Sequence, residues 1–286
     1  MHYIYSLLVL IGIYVTLSAS FNLIIGNGGL ISIAHPIFFA LGAYTAALFA
    51  INFGVPVLFS IAAGMIVALG SSFALSLPAL RISGDYLLIA SIGFQLGLVQ
   101  IIKNLDFTGG AGGLGNIPSV LSGETRDIAF AVGSLGMALV VVLIIRSIIR
   151  SPYGSAITAM RDDELAFVSL GRNAMAIKLV IFAIGSGFAG LAGGVYAYYY
   201  LYLSPDQFEI LQSATILTMV VVGGMGSTLG PVVGGILLLA LPQAITFLQL
   251  PPSIMGPLQG MIFTLLVLVF LFVRPQGLIS TKRLHR

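Results

Sequence analysis

The chain has 286 residues and a formal net charge of +3, and its composition excludes a soluble globular protein. Hydrophobic residues make up 58% of the sequence and charged residues only 7%, whereas average soluble chains carry about 25% charged residues. A globule of this size cannot bury so much apolar surface, so we expect an integral membrane protein. The absence of cysteine excludes disulfides and cysteine nucleophiles, and the scattered basic residues exclude the patch that nucleic-acid binding requires.

Apolar runs long enough to cross a bilayer recur along the whole chain. We predict a single all-α membrane domain over residues 1–286, with about nine spanning helices in a range of about eight to ten. The predicted spans are 3–25, 31–51, 55–78, 85–102, 128–149, 174–200, 209–222, 229–249 and 257–273. No basic residue precedes the first span, as one would in a signal peptide, so we expect this span to remain in the mature protein.

Two glycine clusters interrupt the apolar pattern near the two ends of the chain. Residues 26–30 read GNGGL and residues 223–230 read GGMGSTLG. Broken or re-entrant helices are one interpretation, because irregular backbone is tolerated at membrane depth where protein buries it. A plain tight turn at each cluster is the alternative. The corresponding positions also suggest an internal repeat, although the two halves share little sequence.

The distribution of Lys and Arg predicts the orientation of the chain. When nine spans alternate, only Lys103 and Arg126 fall on one side. The other side receives Arg81, Arg146, Arg150, Arg161, Arg172, Lys178, Arg274, Lys282, Arg283 and Arg286. The positive-inside rule places this second group in the cytoplasm. We therefore expect the N-terminus outside and the C-terminus inside the cell.

The longest charged connector predicts a helix of about five turns at residues 152–170. Ser151 suits the N-cap, Pro152 the first helical position and Gly171 the position after the C-terminus. An apolar stripe along this helix consists of Tyr153, Ile157, Met160, Phe167 and Val168. The helix either rests on lipid headgroups or binds a protein. The acidic run Asp162, Asp163 and Glu164 favours a protein partner, because anionic lipid would repel it.

Polar residues inside the apolar runs are candidates for a solute pathway, and we select Asn22, His35 and Gln95. Hydrogen bonds between helices are the structural alternative for each of them. A metal site at His35 is not expected, because its span contains no carboxylate. The glycine-rich run around Ser186 predicts close helix packing rather than a protease serine motif.

Several blocks together resemble the LivM-type permeases of branched-chain amino-acid ABC importers. The blocks are LRISGDYLLIASIGF at 80–94, FTGGAGGLGNIP at 107–118 and SPYGSAITAMRDDELAFVSLG at 151–171, with GLISIAHPIFFALGAYTAAL at 29–48 before them and FAGLAGGVYAYYYLYLSPDQF at 188–208 and VVGGMGSTLGPVVGG at 221–235 after them. They cover most of the chain in the family's order. One departure is that Gln95 and Gln100 stand where the family commonly has an acidic residue.

The resemblance implies a permease subunit of an ATP-driven importer in the bacterial cytoplasmic (inner) membrane, with hydrophobic branched-chain amino acids as its first expected solutes. The implied partners are membrane lipid, ATP-binding subunits, a second permease that is a paralogue, and a periplasmic or extracellular solute-binding protein. Residues 152–170 then form the coupling helix, whose coupling residues are Tyr153, Ile157, Met160, Arg161, Asp162, Asp163, Glu164 and Phe167.

ATP binding and chemistry are not expected in this chain itself. None of its lysines, Lys103, Lys178 and Lys282, follows a glycine as in an ATP-binding phosphate loop, so we expect no cofactor in this chain. The sequence also offers no credible pair of nucleophile and base, so we expect no catalytic residue and no enzymatic activity. An ATP-independent channel or secondary transporter for a small solute such as urea or an amide is the alternative function. Such a transporter would normally carry a carboxylate in mid-membrane, and the acidic residues here lie in loops or near span ends.

Overall fold

The computed structural model describes residues 2–79, 85–120 and 123–246, together with 260, 261, 264, 265, 268, 272 and 277–279. Over these residues the chain is helical, and its only β-type pairing is one isolated bridge between Leu114 and Leu203. Six of the described helices are long and apolar enough to cross a membrane. The all-α membrane fold is thus confirmed. The ninth predicted span, 257–273, lies mostly outside the described residues, as do Arg81 and the basic residues from 274 onward.

Each of the first eight predicted spans overlaps one helix of the structure. The spanning helices are α1 (His2–Asn22), α2 (His35–Phe53), α3 (Val57–Ala79), α4 (Asp85–Asn104), α5 (Glu124–Arg150) and α8 (Ala174–Tyr200), followed by the shorter α9 (Ile210–Gly223) and α10 (Gly230–Thr246). Two further helices, α6 (Pro152–Asp162) and α7 (Glu164–Ser169), lie between α5 and α8. A π-helical turn, Leu23–Asn27, extends α1, and a 3₁₀ turn, Pro205–Phe208, precedes α9.

Helices α1, α2 and α8 form the buried centre of the bundle, whereas α3, α4 and α5 lie around it. The outer helices expose large apolar side chains such as Phe59, Ile89 and Leu139. In water such a surface would be unfavourable, but lipid solvates it. This arrangement explains why hydrophobic residues appear on every face of the outer helices.

Glycine brings the backbones of α2, α3 and α8 into direct contact. A Cβ atom added at Gly42 would lie 2.2 Å from the Gly190 carbonyl oxygen, and one at Gly64 would lie 2.5 Å from the Gly42 carbonyl oxygen. A Cβ at Gly193 would lie 2.1 Å from the Phe39 carbonyl oxygen. The expectation that the glycine-rich run of α8 serves close helix packing is confirmed.

The helices alternate in direction and separate the charges between two ends of the bundle. At one end, which we call the α6–α7 end, lie the five described basic residues predicted to share a side: Arg146, Arg150, Arg161, Arg172 and Lys178. At the opposite end Arg126 donates to the Tyr199 carbonyl and Lys103 pairs with Asp206. The predicted grouping of these residues therefore agrees with the path of the described chain.

Candidate functional site

The connector between α5 and α8 begins and ends as its capping residues predict. Ser151 accepts a hydrogen bond from the Gly154 amide at 3.4 Å, Pro152 begins α6, and Gly171 follows α7 with φ of 75°. The expectation of one continuous helix is wrong, because the chain becomes extended at Asp163. The Asp163 carboxylate accepts from the Ala166 amide at 2.9 Å and so caps a second helix, α7.

The predicted apolar stripe faces the protein's own core. Ile157, Met160 and Phe167 are buried there, and Tyr153 is half-buried with a hydroxyl that has no hydrogen-bond partner in the described structure. Burial raises the pKa of the Tyr153 phenol. Ile157, Met160 and Phe167 therefore attach α6 and α7 to the membrane helices, and their assignment as coupling residues stays a prediction.

A different set of apolar side chains points away from the protein at α7. Leu165, Val168 and Leu170 are 85%, 52% and 80% exposed. Helical periodicity did not indicate Leu165 and Leu170 and grouped Val168 with the apolar stripe of α6, because the break at Asp163 changes which residues share a face. The signal that would have found the break is an aspartate followed by an acidic first turn, Glu164, and an apolar run.

Arg161 connects α6 to the interruption at the end of α1. One guanidinium nitrogen, Nη1, donates to the Gly26 carbonyl oxygen at 2.8 Å, and Nη2 faces the Asp162 carboxylate at 3.2 Å. The aliphatic part of the side chain packs against Gly29, where an added Cβ would lie 2.6 Å from the Arg161 Cγ. Gly29 has φ of +69°, a conformation that favours glycine.

The two glycine clusters predicted to interrupt helices meet next to Arg161. The Asn22 amide accepts from the Gly226 N–H at 2.8 Å and donates to the Ser227 carbonyl at 2.9 Å. Asn27 donates to the Gly226 carbonyl at 3.2 Å. A Cβ at Gly26 would lie only 2.5 Å from the Gly226 nitrogen. We call this contact between residues 22–29, residues 224–229 and Arg161 the junction.

A partly buried ion pair holds α7 against α8. The Lys178 ammonium lies 2.5 Å from the Glu164 carboxylate, and its side chain is only 7% exposed, whereas that of Glu164 is 43% exposed. Removing one partner of such a pair leaves the other without compensation, and the cost grows with the burial of the remaining charge.

Glu164→Gln should therefore destabilise the protein more than Lys178→Met. We expect a loss of about 2 kcal/mol for Glu164→Gln, below the value for a fully buried pair because Glu164 is partly exposed. The double variant Glu164→Gln/Lys178→Met should recover part of the loss. Thermal unfolding of the unmodified protein, the two single variants and the double variant in one detergent measures this double-mutant cycle. Equal losses of stability for the two single variants would contradict the prediction.

The two other predicted pathway residues are buried in separate polar contacts. His35 Nε2 lies 2.9 Å from the Ser20 hydroxyl, and its Nδ1 has no partner in the described structure. Gln95 donates from Nε2 to the Phe208 carbonyl at 3.2 Å and accepts at Oε1 from Ser213 at 2.9 Å. The structure therefore places Asn22 at the junction and Gln95 in a cluster with Ser213, while His35 contacts Ser20.

A charged cluster lies at the end of the bundle opposite α6 and α7. The Lys103 ammonium is 2.7 Å from both the Asp206 and the Glu209 carboxylates. The ammonium of Lys103 lowers the pKa of Asp206 below its usual range. These charges connect α4 to the start of α9. Among the described residues no group of three or more His, Asp or Glu is arranged to hold a metal ion.

The amino-acid sequence is similar to known transport proteins. The family model for the permease component of the branched-chain amino acid transport system matches residues 3–271. The chain is 31% identical to the high-affinity branched-chain amino acid transport system permease protein LivM of Escherichia coli strain K12 and 30% identical to that of Salmonella typhimurium, in each case over 95% of this chain and 68% of the relative.

A more distant relative carries a different solute in its name. The autoinducer 2 import system permease protein LsrC of Yersinia enterocolitica is 22% identical over 71% of this chain and 57% of its own length. No solved structure gave a significant match. The relatives are all named as permease proteins, which are transport components rather than enzymes.

Proposed function

Because this chain belongs to the family of permease components of branched-chain amino acid transport systems, we propose that it is the membrane subunit of an ATP-driven importer of hydrophobic branched-chain amino acids. The observation that carries the proposal is the hydrogen bond from Arg161 to the Gly26 carbonyl. It connects a charged helix outside the apolar bundle to the point where two interrupted membrane segments meet. A motion of α6 therefore reaches the junction through this charged contact, in addition to the buried apolar contacts that attach α6 to the membrane helices.

The partner that moves α6 is an ATP-binding subunit at the α6–α7 end. Leu165, Val168 and Leu170 present an exposed apolar patch on and just after α7, and the exposed Asp162 lies next to it in the chain. A patch of this kind is typical of a protein-protein contact. Arg161, Asp163 and Glu164 hold α6 and α7 in position behind the patch, so that force on it is transmitted to α1 and α8.

The orientation of the chain follows from the same assignment. The α6–α7 end carries most of the described basic residues and lies in the cytoplasm, as the positive-inside rule requires. The N-terminus of α1 then lies outside the cell, at the end that carries Lys103 and Arg126. A periplasmic or extracellular solute-binding protein delivers the solute at this end, and a second permease, a paralogue, completes the pathway across the inner membrane.

We assign different roles to the three pathway candidates, Asn22, His35 and Gln95. Asn22 acts at the junction, where its amide bonds to the backbone of residues 226 and 227. His35 and Gln95 lie deeper in the bundle and face the transported solute. ATP is bound by the partner subunits, so this chain needs no cofactor of its own.

Reconstitution tests the proposal directly. The chain is purified in mild detergent with the proteins that accompany it, which are identified by mass spectrometry, and the complex is placed in liposomes. We expect an ATPase and a second permease to co-purify, and uptake of radiolabelled leucine to require ATP and the binding protein. Uptake by this chain alone without ATP would contradict the proposal and favour a channel or secondary transporter.

A further inference from the structure

A polar cluster in the middle of the bundle surrounds a stretch of non-helical backbone. Residues 29–34, between the π-helical turn and α2, are not helical. The Ile33 amide donates to Ser91 of α4 at 2.9 Å, and the Ile33 carbonyl accepts from Ser213 of α9 at 2.9 Å. Gln95 lies near the midpoint of α4 and reaches the same serine. We call Ile33, Gln95 and Ser213 the acceptor cluster.

At the Ser213 hydroxyl of the acceptor cluster, one donor faces two acceptors. The Ser213 hydroxyl lies 2.9 Å from both the Ile33 carbonyl oxygen and the Gln95 Oε1 atom. A hydroxyl has one proton, so it can satisfy only one of the two oxygens fully. Reversing the Gln95 amide does not help, because its Nε2 would then no longer donate to the Phe208 carbonyl. One of these two oxygens is therefore under-satisfied in this arrangement, which is unfavourable where the oxygen is shielded from water.

The surroundings of the cluster are apolar on the Phe208 side. The Phe208 ring packs against Phe39 at 5.3 Å between centroids and against Tyr44 at 6.0 Å. No hydrogen bond or ion pair links a charged side chain to the cluster in the described part of the chain. The cluster thus offers neutral oxygen acceptors beside an aromatic surface. One of these acceptors is the Ile33 backbone carbonyl, which is available because the backbone there is not helical.

From this donor deficit we infer that the acceptor cluster is a solute-binding site that takes an N–H donor group, such as the ammonium of an amino acid, on the Ile33 carbonyl and Gln95 Oε1. The apolar body of the solute lies against the aromatic side chains. This inference rests on the proposed importer function and specifies which atoms of this chain meet the solute. A backbone carbonyl and an amide can hold an ammonium without a membrane-embedded carboxylate.

Access to the site requires movement of helices. Gln95 and Ser213 are only 1% and 2% exposed, so the described arrangement is closed. They belong to α4 and α9, and separation of these two helices opens the site. The solute then supplies the donor that Ser213 lacks.

Uptake of leucine by the reconstituted complex tests the site with a matched control on the same helix. Gln95→Leu removes the acceptor and should lower uptake at least about tenfold, the loss expected for a hydrogen bond to a charged group. Gln100→Leu changes the same residue type at an exposed position of α4 and should transport like the unmodified protein. Equal uptake by the two variants would contradict the site.

Cysteine labelling gives a second measurement that does not depend on the stability of Gln95→Leu. The natural chain has no cysteine, so Ser213→Cys introduces a single thiol. N-ethylmaleimide should label it during ATP-driven turnover, and saturating leucine should slow the labelling. Ala214→Cys, at the exposed neighbouring position, should react at a rate independent of leucine.

The outcomes separate this inference from the proposed function. If the unmodified complex shows no ATP-dependent leucine uptake, the importer proposal itself fails. If that uptake is normal but Ser213→Cys is never labelled, or is labelled at the same rate with and without leucine, only the acceptor cluster is rejected as a solute site.

Discussion

Gly42→Ala is expected to destabilise the protein by about 3 kcal/mol, at the upper end of what overpacking usually costs. The new Cβ atom would lie 2.2 Å from the Gly190 carbonyl oxygen and 2.3 Å from its Cα atom. Both atoms belong to the backbone of α8, so no side chain can rotate to relieve the contact. The helices must move apart, which also disturbs the contact of Gly42 with Gly64 of α3.

Gly70→Ala is the matched control for this prediction. Gly70 is also a helical glycine in α3, but a Cβ atom there would have no neighbour within 4 Å. Alanine favours a helix over glycine by up to about 1 kcal/mol, so the control should be neutral or slightly stabilising. Thermal unfolding in detergent measures both variants. Similar melting temperatures for the two would show that the close contact between α2 and α8 does not determine stability.

Arg161→Ala is expected to lower leucine uptake at least about tenfold while ATP hydrolysis by the complex continues. The substitution removes the charged hydrogen bond to the Gly26 carbonyl, a type of contact that contributes about 1.5–3 kcal/mol. It also leaves a gap against Gly29. Without this contact α6 still receives force from its partner but no longer transmits it to the junction.

Arg172→Ala serves as the control, since Arg172 is an exposed arginine at the same end of the bundle. Its uptake and ATPase activity should match those of the unmodified complex. Arg161→Lys should retain part of the uptake, because the lysine ammonium can still donate to the Gly26 carbonyl. Unlike the planar guanidinium, it cannot contact Gly26 and Asp162 at the same time through two separate nitrogens. Normal uptake by Arg161→Ala would remove the main support for coupling through the junction.

Local signals in the sequence predicted the elements well. The span 174–200 coincides with α8, and Ser151 caps α6 as expected, because apolar runs and capping side chains act over a few residues. The break at Asp163 was missed for a local reason as well. Because aspartate is tolerated inside a helix, the pattern predicts one continuous helix through Asp163, although Glu164 and the apolar run after it are typical of a new helix start. Its hydrogen bond with the Ala166 amide shows that Asp163 caps α7.

The pairings between distant segments were not accessible from the sequence. Nothing near Asn22 indicates that its amide binds the backbone at Gly226, and nothing near Glu164 indicates Lys178 as its partner. The pathway candidates were chosen because polar groups in lipid are costly. That argument identifies unusual residues, but the contacts of each depend on helices that lie far apart in the chain.

The junction also has a consequence for how the protein is made. Asn22 and its partner Gly226 are 204 positions apart in the chain. At a synthesis rate of about 5–20 residues per second, Gly226 is therefore made about 10–40 s after Asn22. During that time the amide sits at the end of an apolar helix that has already been made. During biosynthesis the Asn22 amide must therefore be hydrogen-bonded by water at the membrane surface or by another protein until residues 224–229 have been synthesised.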